Sequence, residues 1–217
     1  MSSQSNKIAI VGGGPSGLAL AALLEKKGGF DYVVYESSAE HVPPRGGCLD
    51  LHPGSGQRAM REAGVFDEFK KYARYGDATI HRLFDHKGNS LFDFGEGRDA
   101  PEIDRWAIRK VLLSGIPKGK IHWRKPVQKA ERDESGQIVL TFTDGSTASG
   151  FKLVVGADGT FSKIRHLVCP RIFHPARFDE FLFPKITASR SRMRSRFTLA
   201  FSTSQPRSSQ RTLSIPR

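Results

Sequence analysis

The stretch KIAIVGGGPSG near the start of the chain constrains the fold most. Lys7 to Val11 is a short, β-branched and apolar run, which predicts a buried strand. The glycines that follow it, Gly12, Gly14 and Gly17, have the spacing G-x-G-x-x-G. In this pattern the first glycine permits a tight turn, the second lets a pyrophosphate approach the backbone, and the third lets helix and strand pack closely. The stretch therefore predicts a dinucleotide-binding turn.

Two features after the glycines support this prediction. The sequence from about Pro15 to Lys27 predicts a helix whose free N–H groups and positive dipole end would point at the phosphate. The second predicted strand, Tyr32 to Tyr35, ends at Glu36. A carboxylate there can accept hydrogen bonds from both hydroxyls of a ribose and would repel a 2′-phosphate. The site fits NAD or the AMP half of FAD rather than NADP, and the alternative is a glycine-rich turn in an unrelated fold.

The sequence after Glu36 separates these cofactors. A nicotinamide dehydrogenase would normally continue with another helix and strand, whereas this chain continues with the loop SSAEHVPPRGGCLDLHPGSG. The elements predicted after the loop are helices at Gly54 to Ala63, at Phe66 to Tyr72 and in EIDRWAIRKVLLSGI, and strands at Thr79 to Phe84, Ser90 to Phe94, Ile121 to Trp123, Val127 to Glu131, Gln137 to Phe142 and Lys152 to Val155. Turns between several of these strands predict antiparallel pairing.

The stretch VVGADGTFSKIR follows the last of these strands. Asp158 is a suitable cap for a helix near Thr160 to Val168, and Gly159 can adopt a conformation that other residues resist. From the residues alone, the stretch is either a plain strand–turn–helix connection or part of a functional site.

Taken in order, three features of the chain resemble class A FAD-dependent monooxygenases, the para-hydroxybenzoate hydroxylase superfamily. They are the glycine loop with Glu36, Arg105 in DRWAIRKVL, and GADGTFSKIR with Ser162 and Arg165. Within the superfamily, GGCLDLHPGSGQRAM is similar to the corresponding part of tetracycline-inactivating flavin monooxygenases. The resemblance covers roughly residues 6 to 170. It implies an α/β fold. Residues 1–170 would form a GR2-type, Rossmann-like FAD-binding domain, and its inserted antiparallel strands would be part of a β-sheet substrate domain.

The resemblance also implies roles for residues outside the glycine loop. Arg105 would bind the FAD diphosphate, whereas Arg109 is expected to be a solvated helix charge. Asp50 would contact the flavin half of the cofactor, and Gly47 is also expected among the cofactor-binding residues. Arg45 would neutralise phosphate or a nicotinamide cofactor, unless it is simply solvated.

The Asp-Gly stretch also acquires a role from the resemblance. Asp158 and Gly159 would lie beside the cofactor pyrophosphate, where flavin and NAD(P)H contacts meet.

The implied reaction is hydroxylation of a small aromatic or polyketide-like molecule, with FAD as cofactor, NAD(P)H as reductant and O2 as co-substrate. The flavin carries the difficult chemistry, so no catalytic side chain is assigned. His52 is interpreted as a residue that satisfies local backbone groups rather than as a catalytic base. An FAD- or NAD-linked dehydrogenase and a non-catalytic truncated nucleotide-binding fragment are the alternatives. The sequence does not predict the oligomeric state.

Composition excludes several other classes. No apolar run is long enough to span a membrane, and the start MSSQSNK lacks the layout of a secretory signal, so a cytoplasmic protein is expected. The two cysteines, Cys48 and Cys169, fit neither a metal motif nor a disulfide framework, and the seven histidines have no ligand-like spacing. No metal site is predicted.

The basic character of the chain is concentrated in its last segment. Residues 171–217 contain ten Lys or Arg and two Asp or Glu residues, so they carry +8 of the net charge of +12. This Ser- and Arg-rich composition predicts disorder. It is interpreted either as a basic tail that binds nucleic acid or an anionic surface, or as the aberrant end of a truncated or misread chain. The absence of a second Gly-Asp flavin motif after Pro170 favours the latter, so no nucleic-acid partner is expected.

Overall fold

A computed structural model describes residues 7–168 of the 217-residue chain, except residues 45 and 96. The predictions for Arg45, Cys169 and the segment 171–217 lie outside the described residues, as does the boundary at residue 170.

A four-stranded parallel sheet forms the centre of the described part, with the strand order β11-β1-β2-β7. The strands of the chain are β1 Ile8–Val11, β2 Tyr32–Tyr35, β3 Cys48–Asp50, β4 His81–Phe84, β5 Ser90–Phe94, β6 Glu102–Asp104, β7 Ile121–His122, β8 Val127–Arg132, β9 Ile138–Phe142, β10 Thr147–Ala148 and β11 Leu153–Gly156. In register, Ile8 of β1 lies between Leu153 of β11 and Tyr32 of β2. The first predicted β–α–β unit is therefore confirmed.

The first four α-helices of the chain pack on one face of this sheet, and the fifth packs through Leu167 against the core on the other face. The α-helices are α1 Pro15–Lys27, α2 Gly56–Glu62, α3 Phe66–Lys70, α4 Arg105–Leu113 and α5 Arg165–Val168, and a 3-10 helix spans Gly76–Thr79. Because side chains alternate along a strand, Ile10 and Val34 point to the face on which α1 and α4 bury Leu18 and Ile108. This cluster is the larger of the two cores.

A three-stranded antiparallel sheet, β10-β9-β8, covers the opposite face. Val11 and Tyr35, which alternate with the residues of the first core, pack there with Leu140 and Phe142. The Tyr35 and Phe142 rings lie 4.8 Å apart. The central sheet thus has helices on one face and a second sheet on the other, as expected of the predicted α/β fold with inserted antiparallel strands.

Two further two-stranded antiparallel sheets belong to the described part. The predicted pair β4–β5 is confirmed, and the residues of both strands are exposed. The pair β3–β6 was not predicted, and it makes the prediction of helix for Glu102–Asp104 wrong. This segment is extended because Ile103 pairs with Leu49 and is fully buried in the larger core. The short strand β10 was also not predicted.

The prediction of a helix near Thr160 capped by Asp158 is wrong as well. The helix α5 begins only at Arg165, and the Ser162 hydroxyl accepts hydrogen bonds from the Ile164 and Arg165 amides at 3.2 and 3.1 Å. The segment before α5 is a turn, because the Arg165 guanidinium donates to the carbonyls of Gly159 and Thr160. Asp158 accepts the Lys163 amide hydrogen within that turn.

Within residues 7–168, no helix has both the length and the hydrophobicity required to cross a membrane. The same residues contain no cluster of three or more His, Cys, Asp or Glu side chains that could hold a metal ion.

Candidate functional site

Two glycines of the G-x-G-x-x-G turn are required by close backbone packing. Gly12 has a φ of 106°, and a β-carbon at this position would lie 2.3 Å from the carbonyl oxygen of Ala157. A β-carbon on Gly17 would lie 1.9 Å from the carbonyl oxygen of Gly12. Both distances are far below van der Waals contact, so any side chain would force the turn, α1 and the end of β11 apart.

Gly14 is in a different environment. It precedes α1 with a φ of −75° and a ψ of −179°, a conformation open to most residues. A β-carbon there would meet no atom within 4 Å. No side chain caps the helix at this end, its first turn has no acidic residue, and Pro15 occupies its first turn. The end of α1 therefore presents backbone amides and a partial positive charge next to open space.

Glu36, at the end of β2, is bonded to the glycine turn. Its Oε2 accepts the Gly13 amide hydrogen at 2.5 Å, and its Oε1 accepts hydrogen bonds from the Ser38 amide at 2.7 Å and the Ser37 hydroxyl at 3.2 Å. Burial tends to raise the pKa of this carboxyl, but the bonds from Ser38, Gly13 and Ser37 outweigh burial and lower the pKa. Glu36 is consequently an ionised acceptor at neutral pH.

An open cavity of about 380 Å³ lies between the glycine turn, the end of β2 and the turn after β11. Five of the predicted site residues line it, namely Gly12, Gly14, Glu36, Asp158 and Gly159. Lys125 and Lys163 line it too. Neither lysine was predicted as a site residue. The Lys125 ammonium forms an ion pair with Asp144 and donates a hydrogen bond to the Ser146 hydroxyl at 2.9 Å.

Asp158 and Gly159 follow β11, the strand beside β1, and this position brings them to the glycine turn. The amide of Ala157 donates to the Val11 carbonyl at 2.7 Å, which holds the two strand ends together. Asp158 Oδ2 accepts the Lys163 amide hydrogen at 2.6 Å. Its other oxygen, Oδ1, is buried without a hydrogen-bond partner among the described residues. Gly159 has a φ of 78°, which favours glycine.

The remaining described site residues form a second group at the start of α4. The amide of Arg105 donates to the Gly47 carbonyl at 3.2 Å, and Asp50 pairs with Glu102 in the β3–β6 sheet. Gly46 has a φ of 104°, and a β-carbon there would lie 2.8 Å from Arg105 Nε. The guanidinium of Arg105 has no hydrogen-bond or ion-pair partner in the described part of the chain. The predicted residues thus fall into two groups, of which only the first lines the cavity.

The structure corrects the expectation for Arg109. Instead of being solvated, this side chain is 8% exposed and donates to three main-chain carbonyls. One feature of the sequence indicates that Arg109 is not simply a solvated charge. It lies four residues after Arg105, so both side chains are on one face of α4. His52 is exposed, and its carbonyl accepts the amide hydrogens of Ser55 and Gln57.

The fold and these contacts define a dinucleotide-binding domain with a carboxylate at the end of its second strand. The FAD binding domain family matches residues 5–204, and the chain belongs to this family. The match extends beyond residue 170, where the resemblance predicted from the motifs ends.

Curated relatives support the same assignment. Monooxygenase penA of Penicillium thymicola is 35% identical over 174 residues, which cover 75% of this chain and 40% of that protein. Monooxygenase asqM of Emericella nidulans is 35% identical over 175 residues, which cover 73% of this chain and 39% of that protein. The chain therefore spans about two-fifths of the length of the curated relatives it matches. The predicted resemblance to FAD-dependent monooxygenases is confirmed.

Solved structures agree with the fold. A putative FAD-containing monooxygenase from Photorhabdus luminescens is 27% identical with a TM-score of 0.63, and the similarity covers 77% of this chain and 43% of that one. An HpxO variant from Klebsiella pneumoniae, complexed with FAD, is 25% identical with a TM-score of 0.60, over 75% of this chain and 42% of that one. Tetracycline destructase Tet(51), at 24% identity and a TM-score of 0.57, shares the fold over 75% of this chain and 41% of its own.

Proposed function

We propose that this chain forms the AMP- and pyrophosphate-binding part of the FAD site of a flavin-dependent monooxygenase. The observation that carries the proposal is the contrast between Gly14 and the other two glycines. Gly12 and Gly17 are explained by backbone packing, whereas neither strain nor a neighbouring atom requires glycine at position 14. The absence of a side chain at position 14 instead leaves room for a ligand beside the amides of α1. A negatively charged pyrophosphate complements the partial positive charge of these amides.

Glu36 supplies the second part of the fit. A carboxylate has about four acceptor positions, and the donors from Gly13, Ser37 and Ser38 use three of them. One position on Oε2 remains for a ribose hydroxyl, and the exposed Ser37 hydroxyl can rotate away to free another. The negative charge of Glu36 would repel a 2′-phosphate, which favours FAD or NAD over NADP at this site.

The other predicted residues would hold the rest of the cofactor. The guanidinium of Arg105, which has no partner among the described residues, is suited to a diphosphate because it is permanently charged and can donate two parallel hydrogen bonds. Gly47, whose carbonyl accepts the Arg105 amide hydrogen, and Asp50, three residues further on, would contact the flavin half, with Arg45 nearby in sequence. Asp158 and Gly159 would lie at the pyrophosphate, since they line the same cavity as Gly14.

The reaction we propose is NAD(P)H- and O2-dependent hydroxylation of an aromatic or polyketide-like small molecule in the cytoplasm, as part of secondary metabolism. When bound, FAD supplies the redox chemistry that activates oxygen. The residues of this chain bind and orient the cofactor, and we assign none of them to proton transfer. The names of the curated relatives support a monooxygenase over an FAD- or NAD-linked dehydrogenase.

The test is cofactor retention by the purified chain. The chain is mixed with FAD, desalted, and its visible absorbance spectrum recorded, with FMN as the matched ligand because FMN lacks the AMP half. We expect a retained, protein-perturbed flavin spectrum with FAD and none with FMN. Gly14→Ala should abolish retention while leaving the circular dichroism spectrum and the melting temperature close to those of the wild type.

Two results would contradict the proposal. One is a wild-type chain that folds but retains neither flavin. The other is a Gly14→Ala variant that retains FAD as well as the wild type, since the added methyl group would then not lie in the ligand's path.

A further inference from the structure

Arg109 lies in the middle of α4 with its guanidinium buried against a loop. Its Nη1 donates to the carbonyl of Val42 at 2.6 Å, and its Nη2 donates to the carbonyls of Ala39 and Glu40, both at 3.2 Å. The opposite side of the guanidinium stacks on Trp123, with 4.7 Å between Cζ and the ring centroid. One side chain thus binds three main-chain carbonyls within residues 39–42, a segment that lies far from it in sequence.

This arrangement is unusual for a buried charge. No described carboxylate pairs with Arg109, and its Nε is buried without a hydrogen-bond partner among the described residues. Burying an ion is costly unless it is paired and hydrogen-bonded, so the three carbonyls and the Trp123 ring must offset that cost. A hydrophobic residue would fill this part of the core without the penalty. Helix packing alone therefore does not explain an arginine here.

The loop held by Arg109 connects the two groups of predicted site residues. We define the connecting loop as residues 37–47, of which the structure describes all but residue 45. It begins beside Glu36 and ends at Gly47. Its start is bonded to the segment after β7, because the Arg124 amide donates to the Ser38 carbonyl at 3.0 Å. Its end is bonded to α4, because the Arg105 amide donates to the Gly47 carbonyl.

Arg109 supplies the attachment between those two ends. Within residues 39–42 the loop has one backbone bond of its own, from the Val42 amide to the Ala39 carbonyl at 3.1 Å. The Val42 side chain is itself exposed, so hydrophobic burial contributes little to holding this segment. Through its guanidinium, Arg109 joins the middle of the connecting loop to the helix that carries Arg105.

We propose that Arg109 is a positioning residue for the cofactor, which fixes the connecting loop so that the Glu36 group and the Gly47–Asp50–Arg105 group can bind one extended dinucleotide together. The inference rests on the proposed function. Arg109 touches no ligand in this role. It lowers the cost of ordering the loop when the ligand binds, which is how preorganisation increases affinity.

This role predicts that loss of the Arg109 contacts changes the affinities for FAD and for ADP to different extents. ADP lacks the flavin half of FAD, which Gly47 and Asp50 at the end of the connecting loop would contact, whereas its ribose and diphosphate would be bound by Glu36 and Arg105 from β2 and α4. Loosening the loop should therefore weaken FAD binding and leave ADP binding nearly unchanged. A merely structural role, in which the variant destabilises the whole domain, would weaken both ligands alike.

The experiment compares the wild type with Arg109→Lys by isothermal titration with FAD and with ADP. Lysine keeps the charge but cannot reach three carbonyls with a planar fork. We expect FAD to bind Arg109→Lys about tenfold more weakly, or about 1.4 kcal/mol, with ADP affinity within a factor of about two. Arg58→Lys is the matched control, because Arg58 is an exposed helix residue that pairs with Glu62 at 2.7 Å, and it should change neither affinity.

Hydrogen exchange without ligand provides an independent measurement. Peptides from residues 37–47 should exchange faster in Arg109→Lys, while peptides from β1 and α1 keep the protection of the wild type. Equal FAD affinity in wild type and Arg109→Lys, or equal loss of FAD and ADP affinity, would overturn the inference but not the proposed function. Failure of the wild type to bind FAD would overturn both.

Discussion

The amide of Gly13 donates its hydrogen to Oε2 of Glu36 at 2.5 Å, which joins the glycine turn to the end of β2. The carboxylate that we propose as the ribose acceptor therefore also shapes the turn that we propose as the pyrophosphate site. A β-carbon on Gly13 would lie 2.9 Å from the same oxygen, so the two groups are already in contact without a ligand. The site is preorganised, which lowers the cost of ligand binding.

Replacing Glu36 by Gln should weaken FAD and ADP binding together. A Gln side chain offers one acceptor oxygen and places an amide donor against the Gly13 or Ser38 amide. The loss of charge-assisted hydrogen bonds should reduce affinity for both ligands about ten- to a hundredfold. Isothermal titration measures this. Loss of FAD affinity with unchanged ADP affinity would argue against the placement of Glu36 at the AMP half.

The pH dependence of stability should report the same carboxylate. Because hydrogen bonds hold the pKa of Glu36 below its ordinary value, its contribution to the free energy of unfolding is complete above about pH 4.3, the unfolded pKa, and is lost as pH falls through the lower folded pKa. The stability difference between wild type and Glu36→Gln should therefore shrink below about pH 4.3. Urea denaturation of both proteins from pH 7 to pH 3 checks the trend, which a constant difference would contradict.

Gly17→Ala should destabilise the fold strongly. Its methyl group would lie 1.9 Å from the Gly12 carbonyl oxygen, a rigid backbone atom. Overpacking of this kind costs about 3 kcal/mol or more in the free energy of unfolding. Gly14→Ala is the matched control, since its methyl group meets nothing within 4 Å, and it should differ from wild type by less than about 1 kcal/mol. Equal melting temperatures for the two variants would show that Gly17 does not lie so close to the Gly12 carbonyl oxygen.

Gln57 is expected to stabilise the end of β3, where Asp50 lies. Its buried amide donates to the Leu51 carbonyl at 2.9 Å and to Asp99 Oδ1 at 2.8 Å, and its oxygen accepts from Arg61 at 2.9 Å. Gln57→Leu leaves those groups without partners and should cost about 1 to 3 kcal/mol by urea denaturation.

The exposed Gln128 provides the comparison for Gln57. Gln128→Leu should change stability by less than about 0.5 kcal/mol. If the two leucine variants were equally stable, the hydrogen-bond network around Gln57 would have no energetic role.

The contribution of Tyr32 to the free energy of unfolding is expected to depend on pH in the alkaline range. Burial, and then the hydrogen bond from its hydroxyl to Glu25 at 2.9 Å, raise the pKa of this tyrosine. Its stabilising contribution is therefore present below about pH 10, the unfolded pKa, and is lost as pH rises toward the higher folded pKa. The stability advantage of wild type over Tyr32→Phe should decline above about pH 10 in chemical denaturation, whereas a parallel decline of both proteins would refute the assignment.

The first β–α–β unit could be predicted from the sequence because its signals are local. The glycine spacing, the apolar strand before it and Glu36 after β2 all lie within about thirty residues, and each agrees with the others. The pairing of β3 with β6 could not be predicted in this way. Its partners CLD and EID are three residues each and come from distant segments, so neither has enough periodicity to indicate a strand.

Arg109 illustrates the same limit for side chains. Its helix was predicted, but the carbonyls of Ala39, Glu40 and Val42 that bind it come from a loop nearly seventy residues earlier. Because main-chain carbonyls accept its hydrogen bonds, no acidic residue in the sequence indicates that this arginine is buried. The cap of α5 was misassigned for a local reason, since both Asp158 and Ser162 are good capping residues and only the turn geometry selects Ser162.

The place of β11 in the central sheet has a consequence for biosynthesis. The strand β1 pairs on one side with β2, which follows soon after it, and on the other with β11, which is among the last elements described. Contacts between such distant segments form slowly, because a long stretch of chain must close before they contribute. During translation one edge of β1 therefore stays unpaired until Leu153–Gly156 has left the ribosome. Until then the nascent chain carries an exposed, apolar strand edge, and this edge is where aggregation would begin.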